Sequence, residues 1–243
     1  MTAFNPLVSV IIPFYNCSFV GQAIESVLMQ TYQNIELIVV NDGSSKYHHL
    51  ISPFLKKIVY LEQSNKGTAS ALNQGLKHAN GEYLVWLSSD DLINPNKIEY
   101  QLNFMKEKNS LVSFTNFNKI DKENRIIKYN AGLTFNNNLE ILLALQNYNI
   151  INGCTVMMLR RVFETVGGFN EKLKYTQDYE YWLRIAFHYR FDFYPITLTN
   201  QRIHEEMGTN VHLSELLKEF EMVKNLYRNK LTNLIKVQSF SKE

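Results

Sequence analysis

The run Tyr83-Leu84-Val85-Trp86-Leu87-Ser88-Ser89-Asp90-Asp91 carries a short apolar segment straight into two adjacent carboxylates. A strand of a parallel sheet is buried on both faces and reads as a continuous apolar run, so the first polar residues after it mark its carboxyl end. Ligands of open α/β sheets sit at that edge. Carboxylate oxygens suit hard cations, and Mg²⁺ or Mn²⁺ is commonly held by one or two carboxylates together with substrate phosphates. Asp90 and Asp91 therefore point to a divalent cation and a diphosphate ligand. The same pair also suits a turn, and Asp91 could cap the helix that opens near Pro95.

The elements that must position these residues follow from hydrophobic periodicity. Up to about Asn116, short apolar runs alternate with helical spacing, the βαβ signature of a mostly parallel sheet. Strands are predicted at Val8 to Ile12, Ile35 to Val40, Ile58 to Leu61, Tyr83 to Leu87 and Leu111 to Phe114. Helices are predicted near Phe19 to Met29, Thr68 to Ala79 (stopped by Asn80-Gly81) and Asn96 to Lys108 (begun after Pro95). Beyond Asn116 the pattern loosens. Lys119 to Arg125 reads as a charged hairpin turn, Thr134 to Asn138 as a polar loop, Leu139 to Leu145 as a helix and Thr155 to Leu159 as a strand. A short helix over Arg160 to Val166 stops at Gly167-Gly168, and a longer one over Asp178 to Tyr189 puts Tyr181, Ile185 and Tyr189 on one stripe.

From Leu213 onward, Leu216, Phe220, Val223, Tyr227, Leu231 and Leu234 recur at spacings of three and four, an amphipathic helix or helix pair. Between Met222 and Lys242 stand Lys224, Arg228, Lys230, Lys236 and Lys242, with no acid. A helix packed on the body with a solvated basic face fits this pattern best; a membrane surface or a second copy of the chain are the other covers for its apolar stripe.

With 243 residues, 45% hydrophobic and 20% charged, the chain can bury about three quarters of its unfolded surface in one core. A net charge of +2, without basic clustering over the first two thirds, gives no footprint for nucleic acid. Cys17 and Cys154 each adjoin an apolar strand and are expected to be buried free thiols. No apolar run approaches the ~20 residues of a membrane span, so the expected location is cytoplasmic, with a peripheral contact on the cytoplasmic membrane face left to the tail.

Five separated segments fit one architecture: Val8-Ser9-Val10-Ile11-Ile12-Pro13-Phe14-Tyr15-Asn16; Ile38-Val39-Val40-Asn41-Asp42-Gly43-Ser44-Ser45; Asn65-Lys66-Gly67-Thr68; Ser88-Ser89-Asp90-Asp91; and Val166-Gly167-Gly168-Phe169 followed by Gln177-Asp178-Tyr179-Glu180. Together they resemble the family 2 glycosyltransferases, inverting enzymes of the GT-A fold that use nucleotide-diphosphate sugars. The resemblance covers Leu7 to about His204. It implies an α/β, Rossmann-like GT-A domain over residues 1–204, with a nucleotide-sugar-binding half (1–116) and an acceptor and catalytic half (117–204), followed by a helical tail (205–243).

By that resemblance Pro13, Phe14, Tyr15 and Asn16 lie against the nucleotide base, with the Tyr15 ring available for stacking, and Asp42 accepts a hydrogen bond from the base, commonly uracil. Alone, Asp42-Gly43 would read as a simple turn. Asn65, Lys66 and Gly67 lie beside the nucleotide, where a helix N-terminus offers N–H groups to an anion. Asp90 holds Mn²⁺ or Mg²⁺, Ser88, Ser89 and Asp91 complete the donor site, His204 joins the metal and Arg202 meets the diphosphate. The common family pattern has aspartate where this chain has Ser88, which removes a charge near the donor ribose. Asp178 corresponds to the general base that takes the acceptor hydroxyl's proton, worth ~10²–10⁴-fold in rate. Glu180, two residues on along a helix, points away from that face.

The implied reaction is metal-assisted inverting transfer from a nucleotide-diphosphate sugar, UDP-sugar favoured, to a hydroxyl of a glycan or glycolipid. A catalytically silent nucleotide-sugar-binding protein is the alternative that Ser88 raises. A dinucleotide oxidoreductase would need a glycine-rich turn after the first strand, and Pro13-Phe14-Tyr15-Asn16-Cys17 has no glycine. Donor and acceptor selection is expected in the loops around Asn147 to Cys154 and Phe169 to Thr176, with Tyr148, Asn152, Tyr175 and Trp182 as candidate lining residues.

Overall fold

The computed structural model describes residues 5–205 and 212–240. Its first half follows the βαβ reading closely. Strands β1 (Val8–Phe14), β2 (Ile35–Asp42), β3 (Val59–Gln63) and β4 (Tyr83–Trp86) run parallel, in the order β3-β2-β1-β4. They are crossed by α1 (Val20–Leu28) and α2 (Thr68–His78), with α3 (Lys97–Lys108) following a two-residue strand β5 (Leu92–Ile93). The apolar runs are continuous because both sheet faces are covered. Val8, Val10, Ile12, Leu37 and Val39 pack with Ala23, Ile24, Ile98 and Leu102 from α1 and α3. Ile11, Ile38 and Val40 point the other way, into a core with Leu72 and Leu76 of α2.

The second half completes one sheet by mixed pairing. It contains β6 (Val112–Ile120), β7 (Ile126–Lys128), α4 (Asn138–Leu145), β8 (Met157–Leu159), α5 (Arg160–Val166), α6 (Gln177–Ala186), β9 (Asp192–Arg202) and α7 (Leu213–Phe240). The order continues β4-β8-β6-β9-β5, with β8 antiparallel to both β4 and β6, β6 parallel to β9, and β7 folded back on β6 as the expected hairpin. Two features differ from the sequence reading. β6 runs to Ile120, past Phe114, because Asn116 and Asn118 are buried with hydrogen-bonded side chains. β9 went unread because Pro195 interrupts it and polar residues follow. The ladder absorbs the proline in a register shift, pairing Thr115 with Tyr194 but Asn116 with Thr197.

The tail is one 28-residue helix, α7. Val223, Leu231 and Ile235 enter the core, Gln146 donates to Thr232 Oγ at 2.8 Å, and Asn138 donates to Gln238 at 3.0 Å. It packs on the body, leaving Arg228, Lys230 and Lys236 exposed; Lys242 lies outside the described residues. Among the described residues no helix is long and apolar enough to cross a membrane. Both cysteines are free, Cys154 buried as expected and Cys17 only half-buried, because its thiol lies at the sheet edge and donates to Ser89 O at 3.3 Å.

Candidate active site

The carboxyl ends of β1, β2 and β4 open onto a cleft of about 770 Å³. Pro13, Phe14, Tyr15 and Asn16 form one wall, Asp42 the back, and Ser88, Ser89, Asp90 and Asp91 the floor. Asn149 to Cys154, Lys174, Tyr175, Gln177 and Asp178 close the opposite side. Tyr15 is 53% exposed, its ring free to stack. Asn16 holds a left-handed backbone (φ 46°), and its side-chain oxygen accepts the N–H groups of Ser45 and Lys46 at 2.8 and 2.9 Å. It ties the β1 loop to the β2 loop rather than reaching outward.

Asp42 Oδ1 accepts from Gln63 Nε2 (2.7 Å) and Lys66 N (2.8 Å), and Oδ2 from Gly67 N (2.8 Å). Asn65, Lys66 and Gly67 are exposed beside the cleft, between Asp42 and Thr68 of its lining. Their loop is pulled onto Asp42, and Gly43 must lack a Cβ because that atom would stand 2.6 Å from Asn65 N. The carboxylate is thus braced on three donors and still has lone-pair capacity toward the cleft.

At the floor, His204 Nε2 lies 3.0 Å from Asp90 Oδ2. Arg202, expected to meet a diphosphate, is instead 0% exposed. Its guanidinium donates to Asp90 O (2.8 Å), Asp121 O (3.0 Å), Lys122 O (3.2 Å) and Gln22 Oε1 (3.0 Å), and covers the Phe19 ring at 4.2 Å. With its donors spent on the protein, Arg202 shapes the turn beneath Asp90. Asp91 does not cap α3 either: its Oδ1 accepts the Arg202 N–H at 2.8 Å, anchoring the end of β9. Burial, with Asp90 adding repulsion, pushes its carboxyl up to about 8. Ser88 is held from below by buried Cys154, whose sulfur accepts the Ser88 N–H at 3.2 Å and lies 3.3 Å from its hydroxyl.

Among the described residues no group of three or more His, Cys, Asp or Glu gathers for a metal. Asp90 and His204 nevertheless fit a cation shared with a ligand. A carboxylate and an imidazole side by side have the donor chemistry that would suit such an ion; here the two bond to each other at 3.0 Å.

Asp178 stands on the far wall in the first turn of α6. Its Oδ1 accepts the Tyr179 N–H (2.7 Å) and its Oδ2 accepts Asn149 Nδ2 (3.0 Å); burial raises its carboxyl above the ordinary range. Glu180, by contrast, is 4% exposed, paired with Arg184 at 2.8 Å and accepting the Tyr227 hydroxyl at 2.6 Å, inside the α6–α7 interface. Of the candidate lining residues, Asn152 and Tyr175 reach the cleft, while Trp182 is in the core and Tyr148 faces outward. Asn149, in the loop expected to select substrates, and Gln201, beside Arg202, reach the cleft wall without having been singled out, and sequence reasoning missed Leu216 of α7 on that wall and Glu219 behind it. None carries a local signal, because each arrives there through tertiary packing.

The family model described as Glycosyl transferase family 2 matches residues 9–167, more than half of the chain and most of the cleft. This chain belongs to glycosyltransferase family 2. An uncharacterized glycosyltransferase of Rickettsia typhi is 37% identical over 236 residues, covering 94% of this chain and 74% of its own. A putative teichuronic acid biosynthesis glycosyltransferase, TuaG of Bacillus subtilis, is 34% identical over 197 residues, covering 76% of this chain and 74% of its own. Among solved structures, S. aureus TarS 1-349 in complex with UDP-GlcNAc superposes with a TM-score of 0.71 at 17% identity, over 94% of this chain and 70% of that one. A longer TarS chain gives 0.69 and is spanned over 43% of its length. The fold of this glycosyltransferase is GT-A, an α/β sheet flanked by helices with a C-terminal helix.

Proposed function

We propose that this family 2 glycosyltransferase performs metal-assisted inverting transfer of a sugar from a nucleotide diphosphate, UDP-sugar favoured, to a hydroxyl of a glycan or glycolipid. The observation that carries this reading is that Asp42, Asp90 and Asp178, far apart in sequence, line one cleft. Binding of UDP-GlcNAc by TarS, which shares the fold, supports the donor class. TuaG supports a polysaccharide acceptor.

In this reading the base stacks on Tyr15 and bonds to Asp42, while Ser88 takes the place of the common aspartate as a neutral hydrogen-bonding group near the ribose. Asp90 and His204 would hold Mn²⁺ or Mg²⁺, which supplies Lewis-acid stabilisation of the leaving diphosphate. Asp178 removes the acceptor hydroxyl's proton as that oxygen bonds to the anomeric carbon, opposite the departing group. Its raised carboxyl makes it the stronger base near neutral pH. Positioning of both substrates across one cleft supplies much of the acceleration. The exposed Met222, Leu226, Val237 and Phe240 leave α7 a surface for a membrane or a second copy.

A panel of UDP, GDP and dTDP sugars, scored for transfer and hydrolysis with Mn²⁺, Mg²⁺ or chelator, tests the reading. Turnover with a UDP-sugar that is lost in Asp178→Asn while UDP affinity stays is the expected result. Binding of UDP without turnover of any donor would favour a silent binding protein.

A further inference from the structure

The geometry points to Asn149 as the positioning residue that fixes the carboxylate of Asp178 in the cleft. This rests on the reading of Asp178 as general base. Asn149 sits on the loop between α4 and the 3₁₀ turn Gly153–Thr155, and both side chains line the cleft. Asn149 Nδ2 bonds Oδ2 and the Tyr179 N–H bonds Oδ1, and the backbone N–H of Asp178 itself is a third donor to the carboxylate. A carboxylate offers about four lone-pair sites, so about one is left for an incoming hydroxyl while these bonds restrain rotation about the Cβ–Cγ bond.

The loop that carries the exposed Asn149 is anchored on both flanks. The Tyr179 hydroxyl donates to Leu145 O at 2.7 Å, fixing α6 to the end of α4 just before the loop. Beyond it, Asn152 Oδ1 accepts the Cys154 N–H at 2.9 Å. The chemistry of the donor also suits the task. A cation there would hold the carboxylate ionised but weaken it as a base, whereas a neutral amide orients it at small cost in basicity. The charged groups around Asp178 are Glu219 from α7 and Lys174 on the preceding turn, with Asp90 and His204 elsewhere on the cleft lining. Burial and Glu219 disfavour its anion, and the Asn149 amide works against both.

Carboxyl ¹³C NMR of the free protein, with the Asp178 resonance assigned by its loss in Asp178→Asn, reads the effect without any donor. Asn149→Ala is expected to raise the Asp178 midpoint by about half a pH unit, and the isosteric Asn149→Asp by about one unit or more through like-charge repulsion. In UDP-GlcNAc hydrolysis, Asn149→Ala should lower kcat about tenfold, with KM within twofold and the acid limb of the pH profile moved upward. Unchanged midpoints in both variants overturn the inference even if Asp178→Asn is inactive. An active Asp178→Asn overturns the general-base reading instead. Asn149→Asp keeps the shape of the side chain, so its titration decides the matter if Asn149→Ala fails to fold.

Discussion

Glu219 on α7 accepts both the main-chain N–H of Thr176, at 2.7 Å, and its hydroxyl, at 2.8 Å. The same carboxylate takes the N–H groups of Lys174 and Tyr175 at 2.9 and 2.8 Å. The C-terminal helix therefore holds the turn that leads into α6, two residues before Asp178.

Removing that cap should disturb both stability and chemistry. Glu219→Ala leaves the turn's N–H groups without their acceptor, at a cost of about 1–3 kcal/mol, and should lower Tm by roughly 3–8 °C. Because the turn carries Asp178, kcat should fall about tenfold while UDP affinity changes little. Circular dichroism melting and calorimetry with UDP check both halves; wild-type kcat in a destabilised variant would detach the cap from the site.

Lys97 gives stability a pH dependence of known sign. It is 0% exposed with its Nζ donating to Gln101 Oε1 at 2.6 Å, and burial pushes its ammonium down to about 7. The unfolded chain, with an ordinary value of ~10.4, binds more protons between those limits. Stability therefore rises with pH from about 7 to about 10, by at most ~1.4 kcal/mol per unit. Asp91, raised to about 8, acts oppositely below that, since the folded form binds more protons from about 4 upward. Urea unfolding of Lys97→Met and wild type between pH 6 and 10 isolates the lysine. The variant should be the more stable at pH 6, with the difference closing as pH rises.

Arg202 should matter to folding more than to diphosphate binding. Arg202→Ala leaves several carbonyls without their donor beneath Asp90, and a loss of about 3 kcal/mol or more is expected, a size typical of broken buried networks. The folded fraction should bind UDP alone, without metal, as wild type does. A well-folded Arg202→Lys with UDP affinity reduced tenfold would instead place the guanidinium on the phosphates.

The proposed role of Asp90 and His204 in holding a cation predicts that Asp90→Asn and His204→Ala each weaken Mn²⁺-dependent UDP binding by about tenfold or more. Binding measured in EDTA should be the same in both variants and wild type. Calorimetric titrations with and without Mn²⁺ make the comparison; equal metal dependence in all three proteins would remove these residues from the cation site.

The sequence by itself determined the parallel half of the sheet, with strands read to Ile12, Val40 and Leu87 that end in the structure within two residues, at Phe14, Asp42 and Trp86. A strand buried on both faces must be apolar along its length, and the first polar residues after it have one edge of the sheet to occupy. It also determined that Asp178 opens a helix after a glycine turn. Which side chains serve the cleft and which serve the scaffold was decided only by tertiary structure. Arg202 carries the charge a diphosphate would want, yet its guanidinium is enclosed by Asp90, Asp121, Lys122 and Gln22. Asn149 and Glu219 look like ordinary loop and helix residues, and they reach Asp178 only because α4, α6 and α7 pack together. Residue type and local spacing fix which chemistry a side chain can do. Its direction and its partners depend on segments distant in the chain, and no local pattern encodes them.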